Sequence, residues 1–91
     1  MISLQVFSAG KCQGVGFGYM VRHIARGFDV IGWGEHARDG RVELQASGEE
    51  TEVRAFLDAI VQSELRAHIR NQTESRLSAS PAANGFEIRH E

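Results

Sequence analysis

The 91-residue sequence predicts an α+β fold: two helices on one face of a mainly antiparallel four- to five-stranded sheet, forming one domain over residues 1–91. Three observations carry this expectation. Apolar residues alternate with polar ones in residues 2–6 and 41–46 and again at Phe86 and Ile88, which is strand periodicity. They recur at intervals of three and four in residues 17–28 and 53–61, which is helix periodicity. The order that results is β-α-β-β-α-β-β, with one helix after the first strand and one after the third.

The elements follow in order. Ile2, Leu4 and Val6 alternate with Ser3 and Gln5 in a first strand over residues 2–9. A glycine-rich loop, Gly10-Lys11-Cys12-Gln13-Gly14-Val15-Gly16-Phe17-Gly18, leads into a helix that starts near Phe17. Phe17, Met20, Val21, Ile24, Ala25 and Phe28 form its apolar stripe, and Gly27 stands near its end. Residues 30–36 read as a second strand carrying Trp33, whose ring is expected to pack in the core or on a sheet face. Ala37-Arg38-Asp39-Gly40 is a turn with an Asp-Gly hairpin signal, which gives Asp39 the role of a turn former. A third strand covers residues 41–46. Ser47-Gly48-Glu49-Glu50 closes that strand and opens a second helix, whose stripe is Val53, Phe56, Leu57, Ile60 and Val61. Residues 67–77 form a polar edge strand, residues 78–84 a loop, and Phe86 and Ile88 mark a short last strand. This is the split βαβ, or ferredoxin-like, arrangement, in which right-handed crossovers place the first and third strands centrally. The expected core is Val6, Val21, Ile24, Phe28, Val42, Leu44, Phe56, Leu57 and Ile60.

Composition narrows the functional classes. Hydrophobic residues make up 42% and charged residues 24%, as in ordinary globular domains. A net charge of −2 gives no general attraction to nucleic acid or to an anionic membrane. No apolar run approaches the roughly 20 residues of a membrane span, and no secretory leader is discernible. The lone cysteine, Cys12, has no internal disulfide partner. A cytoplasmic monomer with no cofactor and no metal is expected. His23, His68 and His90 are scattered without metal-ligand spacing.

Chemistry concentrates in the glycine-rich loop. Four glycines in nine residues let the backbone curl, and a curled loop that opens onto a helix N-terminus aims N–H groups at one point. Such a concave row of donors suits phosphate. A P-loop is excluded because Gly10-Lys11 is followed by Cys12 rather than Ser or Thr. The dinucleotide fingerprint is excluded because Gly14, Gly16 and Gly18 are spaced G-x-G-x-G.

Residues 10–18 do resemble the acylphosphatase signature G-x-V-Q-G-V-x-F-R. A second block, Gly32-Trp33-Gly34-Glu35-His36-Ala37-Arg38-Asp39-Gly40-Arg41-Val42, resembles that family's G-W-V-x-N-x-x-D-G-x-V. The resemblance covers the whole chain. It implies a phosphate cradle made by Lys11, Cys12, Gln13, Gly14, Val15, Gly16 and Phe17, and a small-molecule partner that is phosphate or an acyl phosphate. It further implies hydrolysis of the carboxyl–phosphate bond without a metal. In the family an arginine closing the loop neutralises the phosphoryl charge, and an asparagine in the second block positions the attacking water. The matching positions here are Gly18 and His36. Glycine supplies no charge, and imidazole holds a water with a different reach from an amide. Hydrolysis is therefore expected to be lost or weak.

Two other readings stand beside this one. In the first, the chain is a working acylphosphatase in which Arg22, one turn after Gly18, and His36 serve as replacements. Arg26 shares the stripe of Arg22, and Lys11 and Arg41 are further candidate cations. In the second, the chain is a nonenzymatic ferredoxin-like binding module. RNA recognition is disfavoured by the lack of an aromatic in residues 41–46 and by the negative charge. A metal carrier would need a cysteine pair. A thiol nucleophile at Cys12 with His36 as base is disfavoured because a cradle cysteine turns its apolar side chain into the fold.

Overall fold

The computed structural model describes residues 1–10, 16–81 and 83–89. Its elements are β1 (Ile2–Gly10), α1 (Phe17–Ala25), β2 (Ile31–His36), β3 (Val42–Gly48), α2 (Glu50–Gln62), a 3-10 turn (Glu64–His68), β4 (Ile69–Arg76) and β5 (Phe86–Arg89). Two helices pack on one five-stranded sheet of order β4-β1-β3-β2-β5. The first and third strands are internal, as the crossover argument requires. β1 pairs antiparallel with β3 and β4, and β2 antiparallel with β3. β5 joins the other side of β2 in parallel, with Gly32 opposite Phe86 and Gly34 opposite Ile88.

Period-2 alternation decides which side chains meet the helices. Leu4, Val6 and Ser8 of β1 and Val42, Leu44 and Ala46 of β3 are all buried, because each second residue turns inward. They pack against Phe17, Val21 and Ala25 of α1 and Val53, Phe56 and Ile60 of α2. Of the expected core, Val6, Val21, Val42, Leu44, Phe56 and Ile60 are buried, whereas Ile24, Phe28 and Leu57 are partly buried against its rim. The opposite sheet face carries Trp33 and Phe7, each covered by a guanidinium: Arg89 lies 4.6 Å from the Trp33 ring and Arg41 4.4 Å from the Phe7 ring.

Two local features depart from the sequence expectation. α1 ends at Ala25, and the N–H groups of Arg26, Gly27 and Phe28 donate three residues back in a tightened last turn. Residues 64–68 are a 3-10 turn, so the edge strand begins at Ile69 rather than at residue 67. That turn starts where the Ser63 hydroxyl accepts from the Leu65 N–H at 3.1 Å, and it buries Leu65, a core member with no periodic partners in sequence. Gly32 explains why the second block needs glycine at its head. Its φ is 152°, and a Cβ there would lie 1.8 Å from the Gln45 carbonyl oxygen on β3.

A buried hydroxyl pair ties β1 to β3 away from the helices. Ser3 and Ser47 are cross-strand partners, and the Ser3 hydroxyl donates to the Ser47 Oγ at 3.0 Å. Ser3→Ala or Ser47→Ala is expected to cost about 1–2 kcal/mol, because the remaining hydroxyl stays buried without its mate. The double substitution should cost less than the sum of the two, and urea denaturation of the three variants checks this.

Candidate functional site

The site is built where β1 hands over to α1. Gly16 is the N-cap residue of α1, with φ 71° and ψ 28°, a left-handed conformation open to glycine. Among the described residues no side chain caps this helix end, and its first turn contains no acidic residue. Among the described residues, the first backbone bond there runs from the Met20 N–H to the Gly16 carbonyl at 3.0 Å, and the N–H groups of Phe17, Gly18 and Tyr19 precede it. Together with the helix dipole they place partial positive charge at this end.

A cavity of about 360 Å³ opens over these groups. Gly16, Phe17, Gly18 and Tyr19 form its helical wall, and Arg22 stands one turn further along. His36 enters from the end of β2 and Ile88 from β5. The structure thus brings together Gly18, His36 and Arg22, three residues singled out in the sequence, with Gly16 and Phe17 of the cradle. Lys11, Cys12, Gln13, Gly14 and Val15 lie outside the described residues. Arg41 is not part of this cavity, since its guanidinium covers Phe7 and its Nε pairs with the Asp39 carboxylate at 2.8 Å.

Sequence reasoning missed Ile88 and Tyr19. Tyr19 is 75% exposed and stacks on His23 along the outer face of α1, with ring centroids 6.3 Å apart. Ile88 is the more consequential omission. A Cβ on Gly18 would come within 3.1 Å of Ile88 Cγ2, and one on Gly34 within 3.3 Å of Ile88 Cδ1. The Ile88 side chain therefore nests in space left by two glycines, and α1 approaches β5 through Gly18. A glycine inside a helical pattern is the sequence signal for such a close approach.

The turn after His36 fixes the end of β2. The Ala37 N–H donates to the Arg41 carbonyl at 2.7 Å, and the Gly40 N–H to the Ala37 carbonyl at 3.0 Å. The Asp39 carboxylate accepts from the Arg41 N–H at 3.0 Å, and this backbone bond holds the carboxyl below its ordinary value, with the Arg41 side chain adding to it. The contribution of Asp39 to the turn is accordingly present above the usual carboxylate range. It is lost as pH falls through the lowered value. Among the described residues no three His, Cys, Asp or Glu side chains gather as a metal site, and no helix is long and apolar enough to cross a membrane.

Fold and site define a ferredoxin-like α+β protein with a glycine-walled cavity at a helix N-terminus. Residues 4–88 match the family described as acylphosphatase. The acylphosphatase of Geobacillus thermodenitrificans is 34% identical over 88 residues, covering 97% of this chain and 94% of that one. The acylphosphatase of Archaeoglobus fulgidus is 42% identical over 60 residues, covering 66% and 67% of the two chains. The crystal structure of acylphosphatase from Bacillus subtilis superposes with a TM-score of 0.87 at 27% identity, covering 98% of this chain and 99% of that one. This chain belongs to the acylphosphatase family.

Proposed function

We propose that this protein binds the phosphoryl group of acyl phosphates at the N-terminus of α1 and hydrolyses the carboxyl–phosphate bond only slowly. The observation that carries the reading is the cavity itself, which joins the N-terminus of α1 to Gly18 and His36. Phosphoryl transfer needs positioning and charge stabilisation more than covalent help. The helix end supplies donors, but Gly18 supplies no cation and His36 no amide. Phosphate held by backbone groups without a guanidinium clamp should bind at about millimolar strength, roughly 4 kcal/mol.

Arg22 favours a second reading. It lines the same cavity as Gly18 and His36, and helical side chains lean toward the N-terminus. Arg22 stands one turn after Gly18, so its guanidinium reaches back toward the helix end alongside Ile88, which occupies the space over Gly18. In this reading Arg22 neutralises the phosphoryl oxygens and His36 holds the water, so that the slow natural rate belongs to them.

One set of experiments tests both readings. Titration with inorganic phosphate should shift the amides of Gly16, Phe17 and Gly18 first. Shifts elsewhere, or none at saturation, would overturn the binding site. Acetyl phosphate hydrolysis by the natural protein should be slow and should disappear in Arg22→Ala. A fast rate that survives Arg22→Ala would overturn the slow-hydrolysis reading and the replacement reading together.

A further inference from the structure

Alternation along β2 turns Gly32, Gly34 and His36 toward the helices and Trp33 and Glu35 toward the other face. The contacts of Gly34 confirm the parity, since a Cβ there would meet Leu44 Cδ2 and Ile88 Cδ1 on the helical side. Two of these three residues are glycines. Among the described residues, the imidazole of His36 is therefore the one side chain that β2 presents to the helical layer. It is half-buried and lines both the cavity at the N-terminus of α1 and a small pocket shared with Phe17, Gly18, Gly34 and Ile88.

The chemistry of the cavity wall is sparse. None of its described lining residues carries a carboxylate. Tyr19 is mostly exposed and stacks on His23, so its ring is engaged outside. His36 is thus the described lining group suited to act as a base or as a nucleophile. Two arguments favour the nucleophile. The transition state of phosphoryl transfer is loose, so an attacking water needs little deprotonation and a base gains little. An imidazole nitrogen held by the fold is a stronger nucleophile than water, and a carboxylate is a good leaving group.

We propose that His36 takes the phosphoryl group itself, as a phosphohistidine, and that water releases it in a second and slower step. The lone pair of one ring nitrogen forms an N–P bond as the bridging P–O bond breaks, and the electron pair of that bond leaves with the carboxylate. The proton on the other nitrogen passes to solvent. Water then attacks phosphorus, the N–P bond breaks, the ring regains a proton and inorganic phosphate departs. No carboxylate among the described lining residues activates that water, so the adduct accumulates. The inference rests on the phosphoryl site proposed above and gives His36 a covalent role in place of holding a water.

Acetyl phosphate carrying radioactive phosphorus tests it. The folded chain should retain label in a form stable to mild alkali and lost in acid, as N–P bonds are, and peptide mass spectrometry should place it on His36. Acetate should appear in a burst ahead of phosphate. His36→Asn and His36→Gln should lower the label at least about tenfold, whereas His23→Asn and the natural chain should label alike. The chain unfolded in urea should take no label at His36. No label, label on another residue, label that survives both His36 variants, or acetate and phosphate released together would each overturn the covalent step. Titration with inorganic phosphate separates the two failures. If the amides of Gly16 and Gly18 shift but no label forms, the phosphoryl site stands and the covalent step falls. If neither happens, both fall.

Discussion

Gly18→Arg combined with His36→Asn is expected to raise acyl phosphate hydrolysis by about 10³-fold or more over the natural chain. The backbone is ready for both changes. Gly18 lies in the first turn of α1 and needs no left-handed conformation, so an arginine fits its φ and ψ. His36 closes β2, and the turn behind it is fixed by the Ala37–Arg41 and Gly40–Ala37 bonds. The obstacle is Ile88, whose Cγ2 would be 3.1 Å from the new Cβ. Ile88 is only half-buried on an edge strand, so a shift of a few tenths of an ångström is accessible to it. Adding Ile88→Ala removes the contact altogether. Each single change should recover only part of the gain, because clamp and water holder act on one transition state. Initial rates of acetyl phosphate loss decide the matter. A triple variant that folds, binds phosphate and still works at the natural rate would show that the missing groups are not what slows this protein.

The largest stability loss from one substitution is expected at Phe56. Its side chain is fully buried in α2 and touches two further rings, Phe28 at 6.1 Å and Phe86 at 5.1 Å between centroids. It therefore fastens the end of α1 and the strand β5 to the second helix at one point. Phe56→Ala should cost about 3–5 kcal/mol, the transfer of the ring plus the void it leaves. That is a large share of the about 5–15 kcal/mol that a domain of this size possesses. Urea denaturation should show a much lower midpoint with a similar slope. A loss below 1 kcal/mol would mean that Phe28 and Phe86 close over the gap, contrary to the packing described.

The sheet was legible because its strands are half-buried. Leu4 and Val6 alternate with Gln5, and Val42 and Leu44 with Glu43, so the pattern names the face as well as the strand. The helices were legible for the same reason at a different period. The 3-10 turn was not: Leu65 is its single buried residue, and one apolar residue has no period. Nor was the relation between Gly18 and Ile88. Alternation at Phe86 and Ile88 says that both face the helices, but it does not say which helical residue each meets. Arg22 in the cavity followed from helix geometry, since four residues return a side chain to the same face.

β5 is four residues long and is paired on one side only, to β2. Through Ile88 it walls the cavity at the N-terminus of α1. The pocket thus has a floor and a wall of unequal permanence. The floor belongs to α1, whose Phe17 and Val21 lie in the central core. The wall belongs to a strand held by one ladder and by the side chains of Phe86, Ile88 and Arg89. Short edge segments open and reclose at far lower free energy than the whole domain. The lifetime of an assembled pocket is therefore set by fraying of this strand rather than by unfolding of the protein. A ligand that touches Ile88 or Phe86 would slow that fraying, which couples occupancy to local order with no change of overall shape.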